Sequence, residues 1–181
     1  MTIRKVFWGF RAFIYGLFTT YKMPGYIGKP IYISNLKKML FGKRVRIYPG
    51  LRAEIIKDTG SIEIGENTSI GQNFHIVSNN EKLVIGKNVV ISGNVFITNC
   101  DHSYNKKDIH IFDQELVTKH TEIGDNCFIG YGAVIQAGTI LGKQCIVGAN
   151  AVVRGKFEDY SVIVGVPGKV IKNFNKNNDI K

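Results

Sequence analysis

The stretch from Ile123 to Phe157 decides how this chain folds. In units of six it is Ile-Gly-Asp-Asn-Cys-Phe, Ile-Gly-Tyr-Gly-Ala-Val, Ile-Gln-Ala-Gly-Thr-Ile, Leu-Gly-Lys-Gln-Cys-Ile and Val-Gly-Ala-Asn-Ala-Val, followed by Val153 and the residues up to Phe157. An aliphatic residue returns every six positions, a glycine usually follows it, and a small residue stands four places after it. An α-helix does not keep a six-residue register, because 3.6 residues per turn would carry the aliphatic position around the cylinder.

A solenoid of short strands does keep this register, with three hexapeptides in each triangular coil. The repeat therefore predicts an all-β fold, a left-handed parallel β-helix whose aliphatic side chains point inward. Glycine and asparagine are expected at the tight corners, where φ can be positive. Cys127 and Cys145 are one coil apart, so they should stack as small core residues.

The composition limits the kind of partner. The chain has 181 residues, which suits one domain, and a formal net charge of +10. This charge favours an anionic partner, such as nucleic acid, a membrane surface or a phosphate-bearing cofactor. Nucleic acid is not expected, because no recognition module is visible. Three cysteines and the lack of a recognisable signal peptide predict a reduced, cytoplasmic protein, with the inner face of the membrane as a further possibility.

The N-terminal segment, residues 3–22, is rich in aromatic side chains and has basic residues at both ends. Its apolar residues recur at helical spacing, and its longest uncharged run is too short to span a bilayer. Two interpretations remain. The helix either lies in a membrane interface as a peripheral contact or packs against the solenoid or another subunit.

The pattern divides the chain into three parts. Residues 1–43 are predicted to form a basic, amphipathic helical extension, with a short helix at 35–41. Residues 44–168 are predicted to form the β-helix, with its first strand at 44–48, and residues 169–181 a basic tail, with a short helix at its start as one option. The register breaks between residues 98 and 122, and a loop of this length in a compact domain is usually functional.

The repeat, the segment from Thr98 to Tyr104 and the sequence Gly-Val-Pro-Gly-Lys-Val-Ile from Gly165 to Ile171 together resemble the hexapeptide-repeat acetyltransferases. The resemblance covers roughly residues 60 to 172 and is nearest to the sugar and polysaccharide O-acetyltransferases, including those of lipopolysaccharide biosynthesis. It implies a homotrimer with active sites between subunits, acetyl-CoA as co-substrate and a sugar or glycan acceptor.

The resemblance also implies roles for residues at the start of the loop. His102 matches the general base that takes the proton of the acceptor hydroxyl, and imidazole suits this task because its ordinary pKa lies near neutrality. Asp101 either orients that ring or caps the turn. Asn99 and Tyr104 are assigned to the acceptor; relatives often carry a second histidine where Tyr104 stands. Cys100 offers a covalent route as the alternative.

In the resembled family the pantetheine arm runs along the last coils and its phosphates meet basic residues. The matching positions in this chain are Tyr131, Gly148, Ala149, Arg154, Lys156, Lys169 and Lys172. Relatives commonly place Thr-Lys after the last coil, so Arg154 or Lys156 would replace that lysine.

No metal site is expected, because His102, His110 and His120 lack the closely spaced pair that the related solenoid carbonic anhydrases use for zinc. Three other functions stay open. They are N-acetylation of a nucleotide-linked amino sugar, detoxification of a small antibiotic, and a non-catalytic scaffold.

Overall fold

A computed structural model, which describes residues 3–175, confirms the left-handed parallel β-helix. Three sheets form its faces. Face one contains β1 (Tyr26–Ile27), β4 (Arg46–Ile47), β7 (Ser69–Ile70), β10 (Val90–Ile91), β15 (Phe128–Ile129), β18 (Ile146–Val147) and β21 (Ser161–Val164). Face two contains β2 (Tyr32–Ile33), β5 (Arg52–Ile55), β8 (His75–Ser78), β11 (Phe96–Thr98), β16 (Val134–Ile135) and β19 (Val152–Val153). Face three contains β3 (Met39–Phe41), β6 (Ser61–Ile64), β9 (Lys82–Ile85), β14 (Glu122–Ile123), β17 (Ile140–Leu141) and β20 (Lys156–Phe157).

The remaining elements lie outside these parallel stacks. They are the helix α1 (Ile3–Gly16), the antiparallel pair β12 (Cys100–His102) and β13 (Leu116–Thr118), strand β22 (Lys169–Asn173), and 3-10 turns at Leu36–Lys38 and Ile111–Asp113.

The core is built from the predicted aliphatic positions. Each of them is at most 1% exposed: Ile123, Ile129, Ile135, Leu141, Val147 and Val153. The small residues four places on are equally buried, and Cys127 lies one coil from Cys145, as expected. Thr139 is the polar member of this set, and its hydroxyl donates to the carbonyls of Gln136 and Val153 at 2.7 and 3.0 Å. The core therefore holds no unsatisfied hydroxyl at this level.

The glycine that follows each aliphatic residue has a different role from the one expected. Positive φ falls three places after the aliphatic residue, as at Asn126 (60°) and Gly132 (69°), and not at Gly124 or Gly130. At Gly130 an added Cβ would lie 2.5 Å from the backbone nitrogen of Ala149 in the next coil. These glycines allow successive backbones to stack closely, whereas the corner itself is turned by asparagine or by a second glycine.

Coil length shows where the solenoid is interrupted. Phe128 pairs with Ile146, 18 positions later, but Val90 pairs with Phe128, 38 positions later. The coil between β10 and β15 therefore contains about twenty extra residues relative to a regular coil. These residues leave at the corner between faces two and three and form the β12–β13 hairpin, where the broken register predicted a loop.

The predicted boundary at residue 44 is wrong. The helix ends at Gly16, and strands β1, β2 and β3 already form a first coil that pairs in parallel with β4, β5 and β6. The proposed helix at 35–41 is a single 3-10 turn followed by β3. The hexapeptide pattern did not reveal this coil because its spacings are irregular: Tyr26 stacks on Arg46 twenty positions later, but Met39 stacks on Ile62.

Helix α1 covers the free edge of this first coil. The guanidinium of Arg11 donates to the carbonyl of Ile27 at 3.1 Å, Ala12 is fully buried, and Trp8 packs on the rings of Tyr26 and Tyr48. Covering an edge strand in this way prevents it from pairing with another chain. Within residues 3–175, no helix has both the length and the apolar character needed to cross a membrane.

The start of the predicted C-terminal tail is also structured. Residues Lys169–Asn173 form β22, which returns antiparallel to β21, with Lys169 opposite Val164 and Lys172 opposite Val162. This strand covers the last strand of face one, so the possible short helix at the start of the tail is not formed there. The end of the tail lies outside the described residues.

Candidate functional site

The hairpin β12–β13 presents His102 to solvent. Cys100, Asp101 and His102 pair with Thr118, Val117 and Leu116. Because side chains alternate along a strand, Asp101 and His102 point to opposite faces of the hairpin. The imidazole of His102, the candidate base, is therefore separated from the Asp101 carboxylate.

The tip of the hairpin is held by Gln114, which is 5% exposed. Its carboxamide accepts from the backbone N–H of Lys106 at 3.1 Å and donates to the carbonyls of Lys106 and Ile109 at 3.1 and 3.0 Å. A buried amide with three backbone partners ties the two sides of the loop together. The loop is therefore a braced element, which suits a site that must keep its geometry.

Two clefts meet at His102. The larger one, of about 850 Å³, lies between the hairpin and face two, and we call it the glutamate cleft; its lining includes Glu54, Phe96, Thr98, Cys100, Phe112 and Leu116. The smaller one, of about 470 Å³, lies on the other side of the hairpin, and we call it the arginine cleft; its lining includes Asp101, Ser103, Tyr104, Val117, Lys119 and Arg154. His102 lines both clefts, and its ring lies on the side of the glutamate cleft, near Phe112.

The other three histidines have partners within the chain. His75 contacts the Glu54 carboxylate at 2.8 Å, the Nδ1 atom of His110 accepts from the backbone of Phe112 at 3.3 Å, and His120 lies 3.2 Å from the Glu122 carboxylate. His102 packs near the Phe112 ring, with 6.1 Å between centroids, and among residues 3–175 its ring has no hydrogen-bond partner. Its ring nitrogens remain available to a ligand.

The glutamate cleft contains an ionised carboxylate, that of Glu54. Arg52 contacts the Glu54 carboxylate at 2.6 Å, and this hydrogen bond holds the pKa of Glu54 below its usual range. The His75 ring adds a second hydrogen bond and packs on Phe96, with 4.9 Å between centroids. A carboxylate next to an aromatic face can accept hydrogen bonds from hydroxyls while the ring covers apolar C–H surface.

Asp101 takes neither of the roles predicted for it. Its carboxylate contacts the Arg154 guanidinium at 2.6 Å, and both side chains are roughly half exposed. This ion pair joins the hairpin to the segment that follows β19, two coils further along the stack. Arg154 keeps donors free beyond the one it gives to Asp101, since a guanidinium has five.

Asn99 serves the fold in place of the predicted acceptor contact. It is fully buried, and its Oδ1 accepts from the backbone of Asn79 at 2.7 Å. Its Nδ2 donates to the carbonyls of Asn79 and Glu81, each at 3.2 Å. Asn99 therefore braces the point where the hairpin leaves the solenoid. Tyr104 is 79% exposed and lies in the arginine cleft, where a ligand can reach it.

The residues matched to the cofactor fall at two separate corners. Tyr131, Gly148 and Ala149 lie between faces one and two, where the backbone N–H of Asn150 donates to the Tyr131 carbonyl. Arg154 lies at the corner between faces two and three, next to the hairpin. Each corner holds only part of the predicted set.

The basic members of that set lie at the last strands. Lys156 is exposed on β20, and Lys169 and Lys172 are exposed on β22, at the end of the solenoid. All three side chains are free to meet a phosphate, but they approach from different faces.

Cys100 is poorly suited to a covalent mechanism. Burial raises the pKa of its thiol, which is 9% exposed and lies 3.6 Å from the Thr98 hydroxyl. A nucleophilic cysteine needs the thiolate, which this environment disfavours. The geometry therefore favours a mechanism without an enzyme-bound intermediate.

Several residues of the site were not found from the sequence. Glu54, Phe112 and Lys119 line the two clefts but belong to no recognisable pattern. Glu54 lies in the irregular early coils, and the other two lie in the loop, where no periodicity exists. The stacking of coils brings Glu54 to His102, and the folding of the loop brings the other two.

The Asp101–Arg154 pair should contribute little to stability on its own. For an ion pair that is roughly half exposed, solvent screening limits the coupling to about 0.5 kcal/mol. We expect this value from a double-mutant cycle of Asp101→Ala and Arg154→Ala, measured by urea unfolding. A coupling several times larger would contradict the exposed geometry and place the pair in a shielded environment.

Comparison with known proteins agrees with this fold. A family model described as bacterial transferase hexapeptide (six repeats) matches residues 120–155. A candidate lipopolysaccharide biosynthesis O-acetyl transferase, WbbJ, of Escherichia coli K12 is 34% identical over 153 residues, covering 81% of this chain and 77% of that protein. A candidate acetyltransferase of Mycobacterium tuberculosis is 30% identical over 151 residues, covering 82% of this chain; the chain spans about half (49%) of that relative's length.

Among solved structures, AntD, an N-acyltransferase from Bacillus cereus in complex with dTDP and 3-hydroxybutyryl-CoA, has the same fold. The TM-score is 0.75 over 90% of this chain and 87% of AntD, at 17% sequence identity. The hexapeptide repeat places the chain among the bacterial hexapeptide transferases. With the identity and coverage shared with WbbJ, the chain belongs to the hexapeptide-repeat acetyltransferase family.

Proposed function

We propose that the protein is an acetyl-CoA-dependent O-acetyltransferase that modifies a sugar hydroxyl of a surface polysaccharide, such as lipopolysaccharide, or of its precursor. The observation that carries this proposal is the position of His102 between two clefts of different chemistry. The base must contact the acceptor hydroxyl in one cleft while the thioester lies next to that hydroxyl, which the meeting of the two clefts allows, and the similarity to WbbJ supports the choice of acceptor class.

The glutamate cleft suits the acceptor. Glu54 is held ionised by Arg52 and can accept hydrogen bonds from sugar hydroxyls, while Phe96 and Phe112 offer aromatic faces for the ring. This arrangement matches a sugar better than an extended apolar substrate.

The arginine cleft suits the donor. Arg154 and Lys119 lie there, and Lys169, Lys172 and Lys156 supply further positive charge toward the end of the solenoid. Acetyl-CoA carries a phosphorylated nucleotide, which such side chains bind by charge-assisted hydrogen bonds. The edges of stacked strands also offer backbone groups to the amides of the pantetheine arm.

In the reaction, the acceptor oxygen attacks the thioester carbonyl carbon while His102 takes the hydroxyl proton. A backbone N–H would stabilise the oxyanion of the tetrahedral intermediate. The C–S bond then breaks, and the proton passes from His102 to the departing sulfur. The products are the O-acetylated sugar and coenzyme A with a free thiol.

We also propose a homotrimer. The cofactor residues Tyr131, Gly148 and Ala149 lie at one corner, and His102 and Arg154 lie at another. In an assembly that places the first corner of one subunit beside the second corner of its neighbour, the two partial sets would form one donor site. The prediction is that isolated subunits are inactive.

The function is tested by thioester cleavage in the presence of neutral sugars, nucleotide-linked amino sugars and oligosaccharides. We expect release of coenzyme A that depends on a hydroxyl acceptor, with an O-acetyl ester in the product by mass spectrometry. Acetylation confined to an amine would overturn the O-transfer proposal in favour of an N-acetyltransferase. Absence of acetyl-CoA binding and of turnover with every acceptor would leave the scaffold interpretation.

A further inference from the structure

Helix α1 has two apolar faces, and only one of them is used by the fold. Trp8, Ala12 and Tyr15, spaced four and three residues apart, pack on the first coil. The opposite face carries apolar side chains that are 37% to 77% exposed: Ile3, Val6, Phe7, Phe10, Phe13 and Ile14. Leu17, just beyond the end of the helix, extends this face. These residues recur at spacings of three and four and include no charged or polar side chain, so the whole outer face of the helix is apolar.

The charge of the chain is concentrated at the same end. Residues 1–53 contain eleven Lys and Arg residues and no Asp or Glu, whereas the rest of the chain contains 13 basic and 14 acidic residues. The entire positive excess therefore belongs to helix α1 and the first coils. Arg4 is exposed beside the apolar face, and Lys22, Lys43 and Arg44 are exposed on the coil below it.

A groove of about 770 Å³ lies next to the helix and joins the two features. Its lining combines Lys5, Arg44 and Arg46 with Val6, Met23 and Tyr26. Lys5 is positioned 5.3 Å from the centre of the Tyr26 ring, and the buried Nε of Arg46 has no hydrogen-bond partner among the described residues. In such a groove the basic side chains can bind the phosphate of a lipid headgroup, and the apolar side chains can contact the first carbons of its acyl chains.

We propose that this end of the protein docks on an anionic lipid bilayer, with the outer face of helix α1 in the interface and the surrounding cations on the lipid phosphates. Interfacial helices combine an apolar face with flanking basic residues, and each basic residue near an anionic surface strengthens binding. A second copy of the chain fits this surface less well, because two such ends would bring like charges into contact: residues 1–53 of each copy carry eleven basic side chains, of which only Arg44 and Arg52 form ion pairs among the described residues.

The docking orients the active site. The hairpin leaves the fourth coil, and successive coils are about 4.8 Å apart, so His102 lies roughly 14 Å along the solenoid from the first coil. With the first coil at the bilayer, a sugar attached to a membrane lipid would reach His102 at this distance. This consequence depends on the proposed function, but the docking itself does not.

The test is co-sedimentation of the full chain with vesicles of phosphatidylcholine alone or mixed with phosphatidylglycerol. We expect binding to the mixed vesicles that weakens as salt rises, because exposed charges are screened. Phe10→Ser should weaken binding about tenfold by removing a buried aromatic ring from the lipid interface. Its control, Val166→Ser, alters a side chain of similar exposure (71% against 63%) away from the helix and should bind like the wild type.

A second pair of variants tests the contribution of charge. Arg4→Gln should weaken binding about fivefold, since a basic residue near an anionic surface contributes about 1 kcal/mol. Lys143→Gln removes the same charge from a distant exposed position and should have no effect.

Circular dichroism and light scattering establish that each variant is folded and has the wild-type mass. Wild-type protein that stays in the supernatant, or Phe10→Ser that binds as well as wild type, would overturn the proposal. A loss of oligomer mass in Phe10→Ser, with no vesicle binding by wild type, would assign the face to a subunit interface.

Discussion

Replacement of His102 by alanine is expected to lower kcat by about 10²- to 10⁴-fold, the range for removing a general base. The imidazole lies where the two clefts meet. Because the hydrogen bond from Arg52 lowers the pKa of Glu54, its carboxylate is a weak base and does not replace the imidazole. The KM for acetyl-CoA should change little, since the base acts on the acceptor hydroxyl.

The matched control is His120→Ala. His120 is an exposed histidine at the end of the same excursion, with its ring 3.2 Å from Glu122. It lies outside both clefts, so its replacement should leave kcat within about twofold of wild type. Unfolding curves should coincide for His102→Ala and wild type, because the His102 ring is exposed and its removal empties no core space. If His102→Ala and His120→Ala were equally active, the general-base hypothesis would be wrong.

The second large effect concerns the fold. Gly130→Ala is expected to lower the free energy of unfolding by about 3 kcal/mol, the upper part of the range for overpacking a tight interior. The new Cβ would lie 2.5 Å from the Ala149 nitrogen and 2.7 Å from the Gly148 carbonyl carbon. These are backbone atoms of the next coil, so relief requires the stack itself to separate.

Gly9→Ala is the matched control, and it is expected to change the free energy of unfolding in the opposite direction. Gly9 lies within helix α1, and an added Cβ would have no neighbour within 4 Å. Alanine should raise stability by about 0.5 to 1 kcal/mol, because glycine is costly inside a helix. Urea unfolding measures both variants, with a shift of the midpoint at constant slope as the expected signature. A Gly130→Ala protein as stable as Gly9→Ala would show that the coils are not packed as closely as described.

Much of the fold could be predicted because the hexapeptide pattern is local. From Ile123 to Val153 each coil has 18 residues, so the inward positions follow directly from counting. The first coils could not be recognised in this way. Arg46 stacks on Ser69 at 23 positions and Ser69 on Val90 at 21, and these changing lengths hide the period.

The site was predicted only in part. His102 could be singled out because it opens the one long interruption of the register, and a single local signal sufficed. The partner of Asp101 in the arginine cleft is Arg154, 53 positions away, and Glu54 reaches the glutamate cleft from two coils earlier. No local signal connects such residues, because their contact depends on the length of every coil between them.

The amino-acid sequence by itself determined the solenoid, its buried aliphatic and small residues, and the place where the chain leaves it. Each of these depends on the residue period, and a period is a property of neighbouring positions. Only the tertiary structure decided three other features. The glycine after each aliphatic residue lets successive coils pack closely and does not adopt a positive φ. Asn99 braces the point where the loop leaves the solenoid, and His102 lies where two clefts meet. Those outcomes depend on coils separated by tens of residues lying about 4.8 Å apart in space.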